Sequence, residues 1–381
     1  MVNTFKNNYR KRIKQVLLIG FIALCFVVLL SYILISPHRF LQVYHIVTNH
    51  DSFSKSNHSI GKVFIAINLY QCESLLRDGS WMQTLMKLID ELGSNNIYLS
   101  IFENNSTDAT PQLLQQFEKQ IKCQHKIVTT KLYLNDEQYA SLYIQNGTRR
   151  YLSRIAYLAM IRNRAIEPIL DDQFNMSSNG IRRFSKVLFL NDIFFSSQDV
   201  VRLLQTNDGD YAAACALDFI NPIKFYDTFA TRDAAGYSMG LPLYPYFSPG
   251  QSQLQIRQRD SLVHVKSCWS GMIAFDSAPF ENGLKFRSLH NVSEYDASEC
   301  CLIHADINQP NRTFINPKVH VAYSKMVYIW HKRLLYFEWI WLPIQKFITY
   351  LADLPRYNKH RTFSNDGFCW IRRKMFFNKR S

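Results

Sequence analysis

Carboxylates are the scarce residues of this chain. Its 381 residues hold 30 Asp and Glu against 44 Lys and Arg, a formal net charge of +14 at pH 7. That excess favours anionic partners such as nucleotide diphosphates, phosphoglycans or anionic lipid. No nucleic-acid recognition motif accompanies it, so nucleic acid is not an expected partner. Glycine (13) and proline (12) are thinly spread, and no internal repeat or low-complexity stretch occurs, which sets aside fibrous and repetitive architectures. The eight cysteines include no paired CxxC and no Cys/His spacing suited to zinc. Long runs that are both uncharged and apolar throughout are also few: there is one.

That run, residues 16–35, can cover the ~30 Å hydrocarbon core of a bilayer as a helix. Lys6, Arg10, Lys11, Arg12 and Lys14 precede it without an acidic residue, which leaves the N-terminus cytosolic. A cleaved signal peptide is the alternative, but the run exceeds an h-region and no A-x-A-like cleavage site follows before Pro37. The reading is a single-pass type II signal anchor: cytosolic tail 1–15, membrane helix 16–35, lumenal stem 36–59, and everything beyond in the lumen. Glycosylation sequons at Asn57, Asn104, Asn105, Asn146, Asn175, Asn291 and Asn311 agree with that side. Outside the membrane run stand Cys72, Cys123, Cys215, Cys268, Cys300, Cys301 and Cys369. The odd number requires a free thiol or an intermolecular bond, and adjacent Cys300 and Cys301 read as one buried and one bridged.

From residue 60 apolar runs and helical periodicities alternate. Lys62 to Leu69, Asn96 to Phe102 and Lys186 to Leu190 read as strands covered on both faces. Trp81 to Leu92 reads as a helix stopped by Gly93, Pro111 to Ile121 as a second with Thr110 as N-cap, and Arg154 to Leu170 as a third. The expected fold is α/β with a mainly parallel sheet, whose ligands bind beyond the carboxyl ends of the strands.

Residues at those ends carry the chemistry. Glu103 closes the second strand, and the following Asn104-Asn105-Ser106-Thr107-Asp108-Ala109-Thr110 resembles the nucleotide-binding turn of GT-A glycosyltransferases. Glu103 and Asp108 are the candidates there; a strand-to-helix turn capped by Asp108 is the alternative. Asp192 follows the strand ending at Leu190, where GT-A enzymes place a D-x-D element for Mn²⁺ or Mg²⁺ that bridges the donor's phosphates. Leu190 occupies the earlier Asp position and cannot ligate, so metal dependence is open, and a cap for a helix starting near Ser197 is the rival role. Arg162, on the third helix, is a candidate to offset diphosphate charge, with a solvent-exposed arginine as the alternative. Asp218, Asp227, Arg232 and Asp233 crowd Phe219, Phe225, Tyr226 and Phe229, a mixture that suits sugar: aromatic faces stack on the pyranose and carboxylates accept its hydroxyls. An aromatic mini-core under a charged loop is the alternative. Cys268-Trp269-Ser270-Gly271 resembles a GT-A acceptor loop, and Glu299 stands where such enzymes place an x-E-D carboxylate. That group takes the acceptor's proton in an inverting enzyme and orients a substrate in a retaining one. His320 is a candidate metal ligand, with a packed, hydrogen-bonded histidine as its rival.

Taken together, 65–76, 103–110, 154–170, 187–195, 216–236, 268–280, 298–307 and 314–324 resemble the fungal capsule-associated mannosyltransferases, the cryptococcal α-1,3-mannosyltransferase group. The resemblance covers roughly residues 60 to 324. It implies a GT-A-like catalytic domain at 60–325 and a type II enzyme of the Golgi or endoplasmic reticulum. The enzyme would transfer mannose from GDP-mannose to a mannose-containing glycan acceptor. On that reading Glu299 and Asp218 are catalytic, Glu103, Asp108, Arg162 and Asp192 hold the donor, and Asp192 and His320 hold the metal. A UDP-sugar donor, or a non-catalytic lumenal glycan-binding or scaffolding protein on the same fold, are the alternatives. The aromatic and basic extension 326–381 either lies on the lumenal leaflet or packs back on the domain. Oligomeric state is not encoded in any of these patterns.

Overall fold

The computed structural model describes residues 60–133, 137–146, 149–171, 183–239, 242–258, 261–289, 295–336 and 367–372, with Gly20 besides. Residues 58–381 form one compact unit and 1–57 another. The run 16–35 therefore lies outside the described residues apart from Gly20. No helix among the described residues is long and apolar enough to cross a membrane.

The strands are β1 (Val63–Leu69), β2 (Ile97–Asn104), β3 (Gln124–Thr130), β4 (Tyr143–Asn146), β5 (Arg149–Leu152), β6 (Lys186–Leu190), β7 (Ala213–Asn221), β8 (Lys224–Phe225), β9 (Arg232–Asp233), β10 (Val263–Ser267), β11 (Met272–Asp276), β12 (Tyr295–Asp296), β13 (Thr313–Ala322) and β14 (Ile371–Arg372). The helices are α1 (Glu73–Arg77), α2 (Ser80–Leu92), α3 (Thr110–Glu118), α4 (Arg154–Ile166), α5 (Ser197–Leu204), α6 (Gln251–Arg257), α7 (Ala278–Glu281), α8 (Glu299–Ile307) and α9 (Lys325–Tyr336). One large sheet runs β3-β2-β1-β6-β11-β7-β13-β10-β9, with β8 on β7.

The sheet is mixed, not mainly parallel. β3, β2, β1 and β6 are parallel, whereas β11 runs antiparallel to both β6 and β7 and β10 antiparallel to β13. The parallel half obeys the expected alternation of strand and helix; beyond β6 helical and loop connections mix, and only β7 and β13 pair in parallel among the described strands. The chain builds outward from β1 to β3 and returns to β6 on the other side of β1. Strand order therefore reverses between β1 and β6, and a crevice opens at their carboxyl ends.

Both faces of the sheet are covered, which explains the continuous apolar strands. Phe64 and Ala66 of β1 and Val187 and Phe189 of β6 face a core shared with α4 and α8 through Ala159, Ile166, Cys300 and Ile303. Ile65, Ile67, Leu188 and Leu190 face the opposite core, with Leu85, Leu88 and Ile89 of α2, Leu114 of α3 and Val200 and Leu203 of α5. Helix α4 stops at Ile166 and tightens into a 3-10 turn over Glu167–Leu170, because Pro168 has no N–H to continue the ladder. Thr110 is the first residue of α3 rather than its cap, and its hydroxyl accepts from Cys72 N at 2.8 Å.

Two disulfides, Cys215–Cys268 and Cys301–Cys369, join described residues, and Cys72, Cys123 and Cys300 are free and buried. The neighbours Cys300 and Cys301 divide as expected into a buried thiol and a bridged one. Residues 367–372 pack back on the domain: β14 pairs with β12, and the buried Arg232 donates to the carbonyls of Phe368 and Cys369.

His304 of α8 is fully buried against the Cys268 carbonyl, 2.7 Å from its Nε2, and burial pushes its pKa from 6.5 down to about 4. A histidine held neutral in the fold but free to charge when unfolded gives stability that is complete above its unfolded pKa and declines as pH falls toward the folded value. Below pH ~6.5 the fold is therefore expected to lose up to about 1.4 kcal/mol per pH unit through this group. Melting curves from pH 7.5 to 5 should show a shallower acid-side slope in His304→Gln than in the natural chain. Parallel slopes would assign the loss elsewhere.

Candidate active site

The turns that follow β1 and β2 form one wall of the crevice, and they interlock. Gln71 N donates to Ser106 Oγ at 3.0 Å, its side-chain amide to Thr107 Oγ1 at 2.8 Å, and Ser106 N to Glu103 Oε1 at 3.0 Å. Glu103 is buried. Asp108 takes backbone amides on both oxygens, from Glu73 N at 3.1 Å and Thr110 N at 3.0 Å, while Glu73 accepts from Ala109 N in return. This reciprocal lock fixes the starts of α1 and α3 and makes Asp108 a cap, the alternative role, rather than a group turned toward a donor. Its pKa is lowered because these hydrogen bonds outweigh desolvation. Tyr70, the residue after β1, is 58 % exposed at the crevice.

Asn191 and Asp192 follow β6 on the other side of the reversal. Leu190 points into the α2 and α5 core, so pleat geometry alone denies it a ligating role. Asp192 does not cap α5; Ser196 does, accepting from Asp199 N. The Asp192 carboxylate is open to solvent but has protein on most sides. That desolvation raises its pKa, and Arg162 nearby pulls the other way. Asn191 is fixed by N–H donation to the Gly271 carbonyl and by Trp269 Nε1, 3.3 Å from its Oδ1.

The loop Cys268–Gly271 packs on these residues. Ser270 and Gly271 both have positive φ (54° and 66°). A Cβ on Gly271 would lie 2.9 Å from Ile193 Cγ2 and 3.1 Å from the Tyr323 hydroxyl, so only glycine allows this approach. Asp227 anchors the loop by accepting from Trp269 N, Ser270 N and Thr231 Oγ1 on one oxygen and Ala230 N on the other.

Arg162 and Glu299 meet across 137 residues of sequence, Nε to Oε1 at 3.0 Å. The guanidinium lies 4.1 Å over the Trp269 ring, and Cys300 Sγ donates to the same Glu299 oxygen at 3.3 Å. Glu299 is the first residue of α8, after the Ser298 cap, where the positive end of the helix favours a carboxylate. Both side chains are largely buried.

Asp218, expected among the catalytic carboxylates, is sealed in β7 with no exposure. Its oxygens accept from Asp227 N at 3.0 Å and from the Tyr323 hydroxyl at 3.2 Å. Burial, reinforced by the Asp227 carboxylate, holds its pKa far above the ordinary value. It reaches the site through Asp227, which anchors the Cys268–Gly271 loop, and through Tyr323, a residue the sequence reading passed over although it directly follows β13; the strand-end rule would have found it. Cys72, one of the cysteines left free, has its thiol raised to about 12 by burial and by Asp192 and other nearby carboxylates, so it is no nucleophile. Arg232 and Asp233 bind backbone groups. Phe219 and Phe225 belong to the core, leaving Tyr226 and Phe229 exposed.

His320 is buried with both ring nitrogens engaged: Nδ1 lies 2.6 Å from His331 Nε2 and Nε2 2.6 Å from the Pro317 carbonyl. This is the packed histidine, not a metal ligand. Among the described residues no cluster of three or more His, Cys, Asp or Glu side chains suits a metal ion. A donor-borne Mn²⁺ or Mg²⁺ needs only one or two carboxylates besides the phosphates, and Asp192 fits that lesser demand.

A separate hollow of about 610 Å³ beside α4, lined by Met160, Arg164, Lys285 and Phe286 among others, includes none of Asp192, Arg162 or Glu299. The described chemistry therefore gathers in the β1–β6 crevice.

The family model described as Cryptococcal mannosyltransferase 1 matches residues 62–306, most of the domain that builds this crevice. The chain belongs to the cryptococcal mannosyltransferase family. One curated relative is the α-1,3-mannosyltransferase CMT1 of Cryptococcus neoformans var. neoformans serotype D, 24 % identical over 289 residues, 70 % of this chain. The chain spans 59 % of that relative's length. Solved structures with partial similarity include mannosyltransferase PcManGT of Pyrobaculum calidifontis, in complex with GDP-Man and Mn2+, at 11 % identity and TM-score 0.37, covering 68 % of this chain and 56 % of that one. S. aureus TarS 1-349 gives 12 % identity and TM-score 0.36, with 68 % and 60 % covered.

Proposed function

We propose that this member of the cryptococcal mannosyltransferase family transfers mannose from GDP-mannose to a mannose-containing glycan, forming an α-1,3 linkage. Asp192, Arg162 and Glu299 gathering at the β1–β6 reversal is the observation that carries this reading. The nucleotide would lie against the turns after β1 and β2, with Tyr70 offering a ring for the base. Its diphosphate would lie over Asp192 and Arg162. A divalent cation held by Asp192 and the donor's phosphates would offset charge on the departing diphosphate.

In the transfer the acceptor hydroxyl oxygen bonds to C1 of mannose as the bond from C1 to the GDP β-phosphate oxygen breaks. An α-product from α-linked GDP-mannose requires retention, and the departing phosphate then takes the hydroxyl proton. Glu299 suits that course: its Oε1 already accepts from Arg162 and Cys300, so it holds the arginine rather than serving as base. Arg162, backed by the Trp269 face, offsets diphosphate charge without having to reorganise.

The same reading includes a type II topology, with the domain in the lumen of the Golgi or endoplasmic reticulum. The two disulfides support an oxidising compartment, and the basic tail before residues 16–35 supports the orientation. Protease protection of the C-terminus in sealed microsomes is expected; digestion without detergent would overturn it. The full chain, purified in detergent, should release GDP from GDP-mannose and extend mannobiose, with Mn²⁺ present or withheld. Turnover with UDP-sugars alone would change the donor. GDP and glycan binding without turnover would favour the binding-protein reading.

A further inference from the structure

From the placement of the exposed Tyr226 ring against Tyr323, with a second exposed ring three residues along, we propose that Tyr226 and Phe229 form the acceptor subsite, a platform for the pyranose that receives the sugar. The proposal rests on the transferase reading above. Exposed aromatics scattered singly need no explanation. These two stand at 47 % and 42 % exposure, three residues apart, on a segment tied down at almost every step. Tyr226 N donates to the Asp218 carbonyl at 3.0 Å and Thr228 N to the Tyr226 carbonyl at 2.7 Å. The Asp227 carboxylate holds Ala230 and Thr231, and the Phe229 carbonyl accepts from Arg232. The backbone is thus fixed while the rings stay outside.

The location follows from Tyr323. The Tyr226 ring meets it edge-on, centroids 4.8 Å apart at 65°. Tyr323 in turn donates to Asp218, lies beside Gly271, and feels the Asp192 charge. Tyr226 is therefore one ring removed from the reacting centre. Through Asp227 its segment also fixes Trp269 and Ser270, so the platform and the floor beneath Arg162 are one rigid unit. A pyranose is recognised by laying its apolar C–H face on an aromatic ring while its hydroxyls meet polar groups. A preordered ring supplies that face at little entropic cost.

The test measures transfer from GDP-mannose to α-1,3-mannobiose by full chain in detergent. Tyr226→Ala should raise the acceptor KM about tenfold, equivalent to ~1.4 kcal/mol of lost stacking. The KM for GDP-mannose should change by less than about twofold, because the ring lies off the donor side. Tyr226→Phe should restore the acceptor KM, since stacking needs the face and not the hydroxyl, and Phe229→Ala should give a smaller rise. An unchanged acceptor KM in Tyr226→Ala, or an equal rise in both KM values, would overturn the proposal. So would a Tyr226→Phe variant as impaired as Tyr226→Ala. If the natural chain transfers nothing, the transferase reading fails, and the subsite is judged by saturation-transfer NMR with mannobiose alone. Signal lost in Tyr226→Ala then supports a glycan platform, and signal equal to the natural chain's removes it.

Discussion

Asp192→Ala is expected to lower sugar transfer by roughly 10²–10³-fold, the scale set by deleting one preorganised group that stabilises transition-state charge. Its melting temperature should stay close to that of the natural chain. The carboxylate is exposed and caps no helix, because Ser196 fills that role, and substitutions free of such duties usually change stability by less than about 0.5 kcal/mol. Activity and stability therefore separate here as they would not at a buried carboxylate such as Asp218. Because desolvation raises the Asp192 pKa, the loss of transfer on acidification should begin above the ordinary carboxylate range. Transfer within a few-fold of the natural chain would remove Asp192 from the donor site.

Glu299→Ala should damage both fold and function. It leaves the Arg162 guanidinium buried beside Trp269 without its anion, and stripping one partner from a buried pair typically costs about 3–5 kcal/mol. The pair makes GDP affinity informative. If Glu299 serves by holding Arg162, then Glu299→Gln and Arg162→Lys should both weaken GDP binding along with turnover, since lysine can neither stack nor keep the guanidinium geometry. If Glu299 is a base, Glu299→Gln should abolish turnover with GDP affinity intact. Calorimetric titration of GDP into the two variants, beside transfer assays, decides between these outcomes. The contact observed between the two side chains favours the first.

The sequence made the parallel half of the sheet legible because β1, β2 and β6 are covered on both faces and so carry unbroken apolar runs. The strand-end rule then pointed to Glu103 and Asp192. The antiparallel half was harder. Residues 216–236 are crowded with carboxylates and aromatics and read as a sugar-binding loop, whereas Asp218 lies inside β7, and the segment's charges mostly satisfy backbone amides. His320 was undecided for a similar reason: a strand pattern places the residue but does not show that His331 and the Pro317 carbonyl take its nitrogens. The Arg162–Glu299 pair was invisible, since it exists only because α4 and α8 pack on the same face of the sheet.

The Cys301–Cys369 bridge bears on where the chain can be cut or tagged. The bond joins the helix that begins with Glu299 to the far end of the polypeptide, where β14 pairs with β12 and Arg232 grips the Phe368 and Cys369 carbonyls. A version ending near residue 325, at the boundary suggested by sequence, would leave Cys301 as a thiol beside Cys300. Two adjacent thiols would then follow Glu299 directly in the chain, and arsenical reagents bind such pairs. Residues 367–372 thus brace the helix that carries Glu299, and a shortened protein would be a different reagent rather than a smaller one.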